Sequence, residues 1–379
     1  MHISKIKEII EPYRKELEKA ALEIHSNPET GMEEYNAVRI QLEILRKWNF
    51  DITERFCSIP TSFKAVYGKG STTICFMSEY DALPGLGHAC GHNLIMLTSI
   101  AASKMLADII EQENLDAKVV LLGTPGEEGM GGKIKIIEKG GLAGIDAVLM
   151  AHPDNKTATW KGCFGVQRYD IDFLGKAAHA ADAPEHGINA LDAVIMLFNG
   201  VNAWREHLPE NTRIHGIITD GGEAPNIVPE KASASFYLRA EKQDMISSMT
   251  ELFENIAKGA ALMTGCSLSF QRRFPSYKTG IPDEYLNELF YESAKELGMN
   301  PQIPENASRA STDFADVSHE LPGIHVYFDI TENKPYALHT KEFLEAAATP
   351  YAINQSFRTA SALAYTAYRY IIEHKDKMH

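Results

Sequence analysis

The stretch GLGHACGHNLI, from Gly85 to Ile95, places His88, Cys90 and His92 on alternate positions among glycines. A core segment would carry branched apolar side chains here, and a plain turn would need neither a thiol nor an imidazole. Glycine allows the backbone and a metal ion to approach each other closely. The pattern leaves two interpretations: a metal site, or a buried cysteine beside hydrogen-bonded histidines, because cysteine is among the most buried residue types.

Apolar strands that open into loops surround this stretch. Residues 72–85 (TTICFMSEYDALPG) predict a strand, and residues 94–110 (LIMLTSIAASKMLADII) predict a buried helix. Two further apolar strands, KVVLLG at 118–123 and AVLMAH at 147–152, also run into loops. Alternating strands and helices predict an α/β fold, with a mostly parallel sheet and helices on both faces. In such folds, ligand sites lie at the carboxyl ends of the strands.

The pattern changes near Gln167. Strands and helices then follow in the order β-α-β-β-α-β until about Ser276, which is the plan of a ferredoxin-like α+β domain. After this segment the helix-then-strand pattern of the first part resumes. The sequence thus predicts a large α/β domain in two parts, residues 1–166 and 277–379, with a small domain inserted at 167–276.

Composition limits the classes of function. The chain has 379 residues, 44% of them hydrophobic and 23% charged, as expected for a globular protein of two or three domains. A net charge of −14 disfavours nucleic-acid binding. The N-terminus predicts an amphipathic helix rather than a signal peptide, and no apolar run is expected to reach the length that spans a membrane. Five scattered cysteines argue against a disulfide framework, so we expect a cytoplasmic protein that binds neither nucleic acids nor membranes.

Two adjacent carboxylates follow the strand predicted at residues 118–123, in the segment GTPGEEGMGGK. Glu127 and Glu128 would repel each other, so at least one of them is expected to have a cationic partner. A metal ion on one carboxylate would leave the other as a nearby base, an arrangement common in metal-assisted hydrolysis. The alternative is a solvated acidic turn.

Two further histidines lie at the ends of other elements. His152 ends an apolar strand, and His339 lies between an aromatic stretch and a helix; either alone is more often structural. Taken together, the potential ligands are Cys90, His92, Glu128, His152 and His339. These are too many for one tetrahedral zinc ion, and they suit two metals that share a bridging ligand.

These motifs are similar to those of a known family. The chain resembles the metallopeptidases and amidohydrolases that include aminoacylases, glutamate carboxypeptidases and succinyl-diaminopimelate desuccinylases. The resemblance is greatest to the branch with hippurate hydrolases, auxin-conjugate hydrolases and aminobenzoyl-glutamate hydrolases, which carries a cysteine in HACGH where other members use a bridging aspartate. The matching stretches span nearly the whole chain: HSNPETGMEE, YDALPGLGHACGHNLI, GTPGEEGMGGK, AHP, GKAAHAADAPEHGINALDAV, ITDGGEAPNIVPEKA, STDFADVSH and HTKEFLEAA.

The resemblance implies that the large domain is catalytic and binds two divalent metal ions in each copy of the chain. Cys90 would bridge the two ions. Glu128 and His339 would complete one site, and His92 and His152 would complete the other. Thiolate and imidazole ligands favour zinc, with manganese, cobalt or nickel as alternatives.

The resemblance also implies roles outside the metal ligands. Glu127 would be the general base, and Asp81 would orient a metal ligand. His179, from the small domain, would stabilise the oxyanion, while Asn226 and Arg239 would hold the substrate, the arginine on a carboxylate. Without the family match, the last three would be ordinary surface residues.

The implied activity is hydrolysis of the amide bond of N-acyl or N-aminoacyl amino acids. A dipeptidase or peptidase with the same chemistry is the first alternative, and a catalytically idle metal- or ligand-binding protein is the second. The small domain would be a lid that forms a homodimer, with a tetramer as the alternative. The branch usually has a shorter acidic pattern where this chain has SEYDALP, so Glu79 could contact a metal or face solvent from a strand.

Overall fold

The computed structural model describes residues 5–272 and 275–375. The strands, in chain order, are β1 (Asp51–Glu54), β2 (Phe63–Gly68), β3 (Thr72–Ser78), β4 (Ala117–Gly123), β5 (Ala147–Asp154), β6 (Gly165–Leu174), β7 (Thr212–Asp220), β8 (Lys231–Ala240), β9 (Ser267–Arg272) and β10 (Gly323–Asp329). The helices are α1 (Ile6–Ile10), α2 (Arg14–Ser26), α3 (Tyr35–Lys47), α4 (His92–Gln112), α5 (Glu127–Met130), α6 (Gly132–Glu138), α7 (Ala190–Arg205), α8 (Gln243–Thr264), α9 (Glu284–Glu296), α10 (Phe314–Val317), α11 (Lys341–Ala346) and α12 (Pro350–Lys375). Short 3-10 helices lie at Glu11–Tyr13, Phe56–Ser58 and Pro184–His186.

The described chain divides into two compact units. The first unit takes in the chain up to Gly162, the segment Gly280–Ala307 and the chain from Thr312 onward. The second unit consists of Cys163–Thr279 and Ser308–Ser311. The sequence pattern predicts the two boundaries after residues 166 and 276, and it assigns the segment around residue 308 to the large domain.

Hydrogen bonds explain why the segment Ser308–Ser311 belongs to the second unit. The backbone N–H of Phe164 donates to the carbonyl of Ser308 at 2.8 Å. The hydroxyl of Ser311 donates to the carbonyl of Phe164 at 2.6 Å. The segment is therefore attached next to the first strand of that unit, through residues too far apart in sequence for a local pattern to relate.

The first unit contains a sheet with the strand order β1-β2-β4-β3-β5-β10. Strands β4, β3, β5 and β10 run parallel, whereas β1 and β2 are antiparallel at one edge. Consecutive residues of β3 (Ile74, Cys75, Phe76 and Met77) are all fully buried. A continuous apolar run is typical of a parallel strand covered on both faces. The predicted α/β fold with a mostly parallel sheet is thus confirmed.

Helix α4 begins directly after the GLGHACG loop and packs against β3, β4, β5 and α12. By length and composition this helix of 21 residues could cross a membrane, so the prediction that no apolar run reaches that length is wrong. Its apolar window is, however, 94% buried inside the protein. The central helix of an α/β core has the same composition, because it packs on a sheet and on other helices at once.

The second unit contains an antiparallel sheet with the order β7-β8-β6-β9. Helices α7 and α8 pack on one face of it. Along β8, the fully or almost fully buried Ala234, Phe236 and Leu238 alternate with less buried residues, as expected for a sheet covered on one face. The elements follow the predicted order β-α-β-β-α-β. The sequence predicts the last strand as SLSFQRRF, residues 267–274, of which residues 273 and 274 lie outside the described residues.

Several predicted elements differ in extent from those observed. Strand β3 ends at Ser78, whereas the prediction continued to Gly85, because the loop that follows bonds elsewhere: the N–H of Ala82 donates to the carbonyl of Glu29 at 2.8 Å. The turn residues of HSNPETG, residues 25–31, predict a loop, but helix α2 continues to Ser26. Strand β1 and the long helix α12 were not predicted.

Candidate metal centre

The predicted ligands lie where adjacent parallel strands end. Cys90 and His92 follow β3, Glu128 follows β4, and His152 lies near the end of β5. His339 lies in the loop after β10. Because the carboxyl ends of parallel strands meet at one edge of a sheet, four strands bring these residues to the same place.

Gly91 determines how Cys90 and His92 are presented. Its φ of 74° lies in the left-handed region, where side chains are disfavoured, and it precedes the first residue of α4. A Cβ atom at this position would also lie 2.8 Å from Cγ of Pro153. The glycine between the two ligands is therefore required by both the backbone conformation and the packing.

The structure brings the predicted ligands together in two overlapping groups. Ligand atoms of Cys90, His92 and His152 lie within 4.8 Å of one another. Those of Cys90, Glu128 and His339 also lie within 4.8 Å of one another. Cys90 is common to both groups, which is the position that a bridging ligand would have.

Hydrogen bonds orient the two histidines of the first group. Nδ1 of His92 lies 2.9 Å from Oδ1 of Asp81, and Nδ1 of His152 lies 2.7 Å from the carbonyl oxygen of Pro153. A carbonyl oxygen can only accept, so Nδ1 of His152 is the donor. Its Nε2, 3.5 Å from Sγ of Cys90, keeps its lone pair, and burial lowers the pKa of His152 to about 3. A neutral imidazole with Nε2 available is the form that binds metals.

The charges and unpaired atoms around His92, Glu128 and Cys90 favour a bound cation. Burial alone would lower the pKa of His92, but Asp81 and Cys90 outweigh it and raise that pKa well above its usual range. Nε2 of His92 and Oε1 of Glu128 are buried and find no hydrogen-bond partner among the described residues, although Oε1 lies 3.2 Å from Nε2 of His339. Buried polar atoms normally have partners. Together with a thiol whose pKa burial raises, they form a sulfur, nitrogen and oxygen donor set that suits two divalent metal ions.

Glu127 lies beside these ligands. Its carboxylate forms a third group with His92 and Glu128, with ligand atoms within 4.8 Å of one another. Burial, then the charges of Glu79 and Glu128, raise the pKa of Glu127 well above its usual range. A raised pKa is the direction of shift that suits a general base, which must take up a proton during the reaction.

A buried ion cluster behind this site was not predicted. Nζ of Lys133 lies 2.5 Å from Oε1 of Glu79 and 2.6 Å from Oδ1 of Asp313, and all three side chains are buried. The other oxygen of Glu79 lies 3.5 Å from Nε2 of His92. The alternative that Glu79 faces solvent from a strand is therefore wrong. Glu79 is absent from the ligand groups found among the described residues.

Buried carboxylates also hold the glycine-rich segment that carries Glu127 and Glu128. The N–H of Gly126 donates to Glu34 at 2.8 Å, and the N–H of Glu128 donates to Asp81 at 2.9 Å. Further along, the N–H of Lys133 donates to Asp313 at 3.0 Å. Sequence reasoning missed Glu34 and Asp313, although each lies in a stretch, HSNPETGMEE or STDFADVSH, that matches the family.

The second unit places the remaining predicted residues at opposite ends of its sheet. His179 and Asn226 are neighbours, since the N–H of Ala180 donates to the carbonyl of Asn226 at 3.0 Å. They lie near Lys231, the first residue of β8. Arg239 lies near the other end of β8, where its Nη1 donates to the hydroxyl of Ser311 at 2.8 Å. At about 3.3 Å per residue, Lys231 and Arg239 are roughly 25 Å apart.

Known proteins are similar to this chain along most of its length. The pattern of peptidase family M20/M25/M40 matches residues 75–360. The chain is 38% identical over 322 residues to the Xaa-Arg dipeptidase of Mus musculus, covering 82% of this chain and 74% of that protein. It is 32% identical over 318 residues to one of the polypeptides of the p-aminobenzoyl-glutamate hydrolase of Escherichia coli, covering 77% of this chain and 65% of that protein.

The fold is similar to that of a crystal structure from Bacillus subtilis, described as a dinuclear metal binding peptidase from the M20 family. The TM-score is 0.74 at 20% sequence identity, over 94% of this chain and 98% of that one. The family match and the identity to curated relatives agree with the two ligand groups described above. The chain therefore belongs to peptidase family M20/M25/M40, and it is a metal-dependent hydrolase of amide or peptide bonds.

Proposed function

We propose that the protein is a two-metal amidohydrolase that cleaves the amide bond of N-acyl or N-aminoacyl amino acids. The observation that supports this most is the pair of ligand groups that share Cys90, with Glu127 beside them. The names of two relatives correspond to these two kinds of substrate. The dipeptidase is named for a peptide that ends in arginine, and the aminobenzoyl-glutamate hydrolase is named for an acylated glutamate. A dipeptidase acting by the same chemistry is the second candidate, supported by the relative with the higher identity.

Cys90, Glu128 and His339 would hold one metal ion, and Cys90, His92 and His152 the other. Bound divalent ions polarise the scissile carbonyl and make water more acidic. We propose zinc, because one thiolate and three imidazoles are ligands it prefers, with manganese, cobalt or nickel as alternatives.

The chain's own residues move the protons. Glu127 accepts a proton from the attacking water and returns it to the leaving amine, which its position beside His92 and Glu128 allows. Asp81 keeps Nδ1 of His92 protonated, so that Nε2 presents a lone pair.

His179 is proposed to stabilise the oxyanion, with Asn226 and Arg239 binding the substrate. Arg239 lies roughly 25 Å along β8 from Lys231, whereas Asn226 and its neighbour His179 precede Lys231. We infer that one small substrate does not contact both His179 and Arg239 of the same chain. This separation supports a homodimer formed through the second unit, in which His179 acts in the partner's site.

Mixed dimers test this arrangement. His179→Ala and Glu127→Gln homodimers should both be nearly inactive, since loss of an oxyanion donor costs roughly a hundred- to a thousand-fold. A heterodimer of the two would contain one site with an intact base and an intact histidine, and it should recover up to about half of the wild-type activity. Absence of recovery in demonstrated heterodimers would mean that His179 serves its own chain or has no role in the chemistry.

A substrate panel with metal analysis tests the activity itself. The protein should hydrolyse N-acyl amino acids, lose this activity on chelation and regain it when a divalent metal is added. Cys90→Ala should bind fewer than two metals per chain, whereas Cys75→Ala, at a buried cysteine of β3, should bind both. A preference for dipeptides would favour the second candidate. Metal binding without hydrolysis of any compound in the panel would contradict both the amidohydrolase and the dipeptidase proposals.

The cellular compartment of the protein and its binding partners are also proposed here. Five scattered cysteines, none of which forms a disulfide in the described chain, fit a reducing compartment, and we propose the cytoplasm. Small acyl-amino acids or peptides are the proposed substrates, and nucleic acids and membranes are not proposed as partners. Subcellular fractionation and light scattering check the compartment and the dimer.

A further inference from the structure

The loop between β10 and α11, residues 330–340, carries the proposed ligand His339. The ring of His339 is supported differently from those of His92 and His152. The rings of His92 and His152 are buried and each has a hydrogen-bonded Nδ1, whereas the side chain of His339 is 51% exposed. Among the described residues, no carboxylate or carbonyl accepts a hydrogen bond from Nδ1 of His339, so no protein group orients its ring through that atom. The position of this imidazole therefore depends on the backbone of its loop.

The backbone of this loop adopts an unfavourable conformation. Glu332, Asn333 and His339 have φ values of 57°, 60° and 64°, in the left-handed region that is costly for most residues other than glycine. Nine non-glycine residues of the described chain have a positive φ, and three of them lie in this one loop. Such conformations persist only where the surrounding contacts hold them. The loop must therefore be fixed at several points.

Asp329, the last residue of β10, fixes the first half of the loop. Its buried carboxylate accepts the N–H of Thr331 at 2.8 Å and the N–H of Asn333 at 3.1 Å. It also accepts the phenol O–H of Tyr351, from the first turn of α12, at 2.6 Å. The two N–H groups flank Glu332, so the carboxylate closes the turn in which Glu332 and Asn333 take their left-handed conformation.

The charge of Asp329 is held by hydrogen bonds rather than by an ion pair. Among the described residues, no Lys, Arg or His lies within ion-pair distance of it, and Lys334 of the same loop pairs with Glu332 at 3.5 Å instead. Burial of a charge without a counter-ion is costly. An asparagine would avoid that cost, but it would present a donor on one side and could not accept from Thr331 on one side and from Tyr351 on the other. The carboxylate is therefore explained by the loop that it holds.

The second half of the loop is attached beside the ligand groups. The side-chain amide of Asn155, at the end of β5, donates to the carbonyl of Tyr336 at 3.3 Å. The N–H of His339 donates to the carbonyl of Ala89, the neighbour of Cys90 in the chain, at 3.0 Å. The loop is thus held by Asp329 at its start and by the HACGH segment at its end. Release of the start would leave the bond to Ala89 to oppose the backbone strain with less support.

We infer that Asp329 is a positioning residue that acts through the loop to hold the imidazole of His339 at the metal site, with Tyr351 as its support. This rests on the proposed function, in which His339, Cys90 and Glu128 bind one of two metal ions. Asp329 belongs to neither ligand group found among the described residues. Its effect should therefore be confined to the ion that His339 binds.

The test measures metal content at controlled free zinc concentrations in Asp329→Asn, His339→Ala and the double variant. Wild-type protein should hold two ions, and Asp329→Asn should bind one of them about 10- to 100-fold more weakly, the usual effect of losing a residue that orients a ligand. In the His339→Ala background, Asp329→Asn should cause no further loss, because the effects of two residues that act through one another are not additive. Asp283→Asn is the matched control, since Asp283 accepts the N–H of Leu286 at 2.8 Å at the start of α9.

Unchanged zinc affinity in Asp329→Asn, or an equal loss with and without His339, would overturn the inference. Tyr351→Phe removes one hydrogen bond to Asp329, and it should weaken the same ion by a smaller factor. If Asp329→Asn does not fold, Tyr351→Phe takes its place, with the same two outcomes overturning the inference.

Hydrogen exchange of the His339 amide in chelated protein is a second measurement that requires no metal. Exchange should be about tenfold faster in Asp329→Asn than in wild type, the equivalent of one lost hydrogen bond to a charged group. If wild-type protein does not bind two ions, the proposed function fails separately, and this measurement then decides. Faster exchange of the His339 amide supports the inference, and equal rates overturn it.

Discussion

Oδ1 of Asp81 lies 2.9 Å from Nδ1 of His92, and Oδ2 of the same carboxylate accepts the backbone N–H of Glu128 at 2.9 Å. One fully buried carboxylate therefore orients a proposed ligand of each metal ion. The two proposed sites are linked through Asp81 as well as through Cys90, so a change at Asp81 should weaken both.

Asp81→Asn should lower metal affinity by roughly 10- to 100-fold, the usual effect of losing a residue that orients a ligand. An asparagine can accept from only one of its two neighbours, because its amide nitrogen is a donor. Titration with metal buffers, followed by elemental analysis, measures the affinity. Asp146→Asn is the control, since Asp146 accepts the N–H of Thr73 at 2.7 Å away from the site; equal affinities in the two variants would contradict the role of Asp81.

Lys133 should be essential for stability. Lys133→Met leaves Glu79 and Asp313 buried without their counter-ion, which typically costs about 3–5 kcal/mol of the free energy of unfolding. Adding Glu79→Gln to this variant should restore part of the loss. Lys47→Met, which removes an exposed pair with Glu16, should leave urea denaturation nearly unchanged. A Lys133→Met protein as stable as wild type would show that the cluster is not a charge-balanced unit.

Glu34 should make the metal-free protein less stable as the pH rises. Burial, then the charge of Asp81, raise the pKa of Glu34 from 4.5 to about 7. Because the folded pKa exceeds the unfolded one, the stabilisation is complete below pH 4.5 and is lost as the pH rises through 7. Between these limits the wild-type free energy of unfolding should fall by about 3 kcal/mol relative to that of Glu34→Gln.

Urea denaturation of chelated protein at a series of pH values measures this difference. Glu33→Gln is the control, because Glu33 is adjacent in sequence but exposed, and its pH profile should match that of wild type. Parallel profiles for wild type and Glu34→Gln would show that Glu34 does not titrate in this range.

The residues of the two ligand groups could be singled out from the sequence because their signals are local. Cys90 and His92 lie in one short glycine-flanked motif, and the other three proposed ligands lie at strand ends or in loops. Parallel strands then bring their carboxyl ends together without further information. The fold class followed from the same alternation of strands and helices.

The buried cluster of Lys133, Glu79 and Asp313 could not be predicted from local sequence signals. The same holds for the position of Arg168. Lys133 is 54 residues from Glu79 and 180 residues from Asp313, so their pairing depends on packing across the domain. Arg168 has no unusual neighbours in the sequence; only the sheet register places it beside Tyr237. Burial of a charge is a property of the whole fold, which explains why Glu79 was open to a solvent-facing interpretation.

The division of roles between Glu127 and Glu128 can be tested most directly by measuring kcat and metal content together in Glu127→Gln and Glu128→Gln. Glu127→Gln should keep two metal ions per chain while kcat falls by about a hundred- to ten-thousand-fold, the usual value of a general base. Glu128→Gln should lose metal, because it removes a proposed ligand that lies within 4.8 Å of Cys90 and His339. The opposite pattern, with both metals retained in Glu128→Gln and lost in Glu127→Gln, would contradict these assignments.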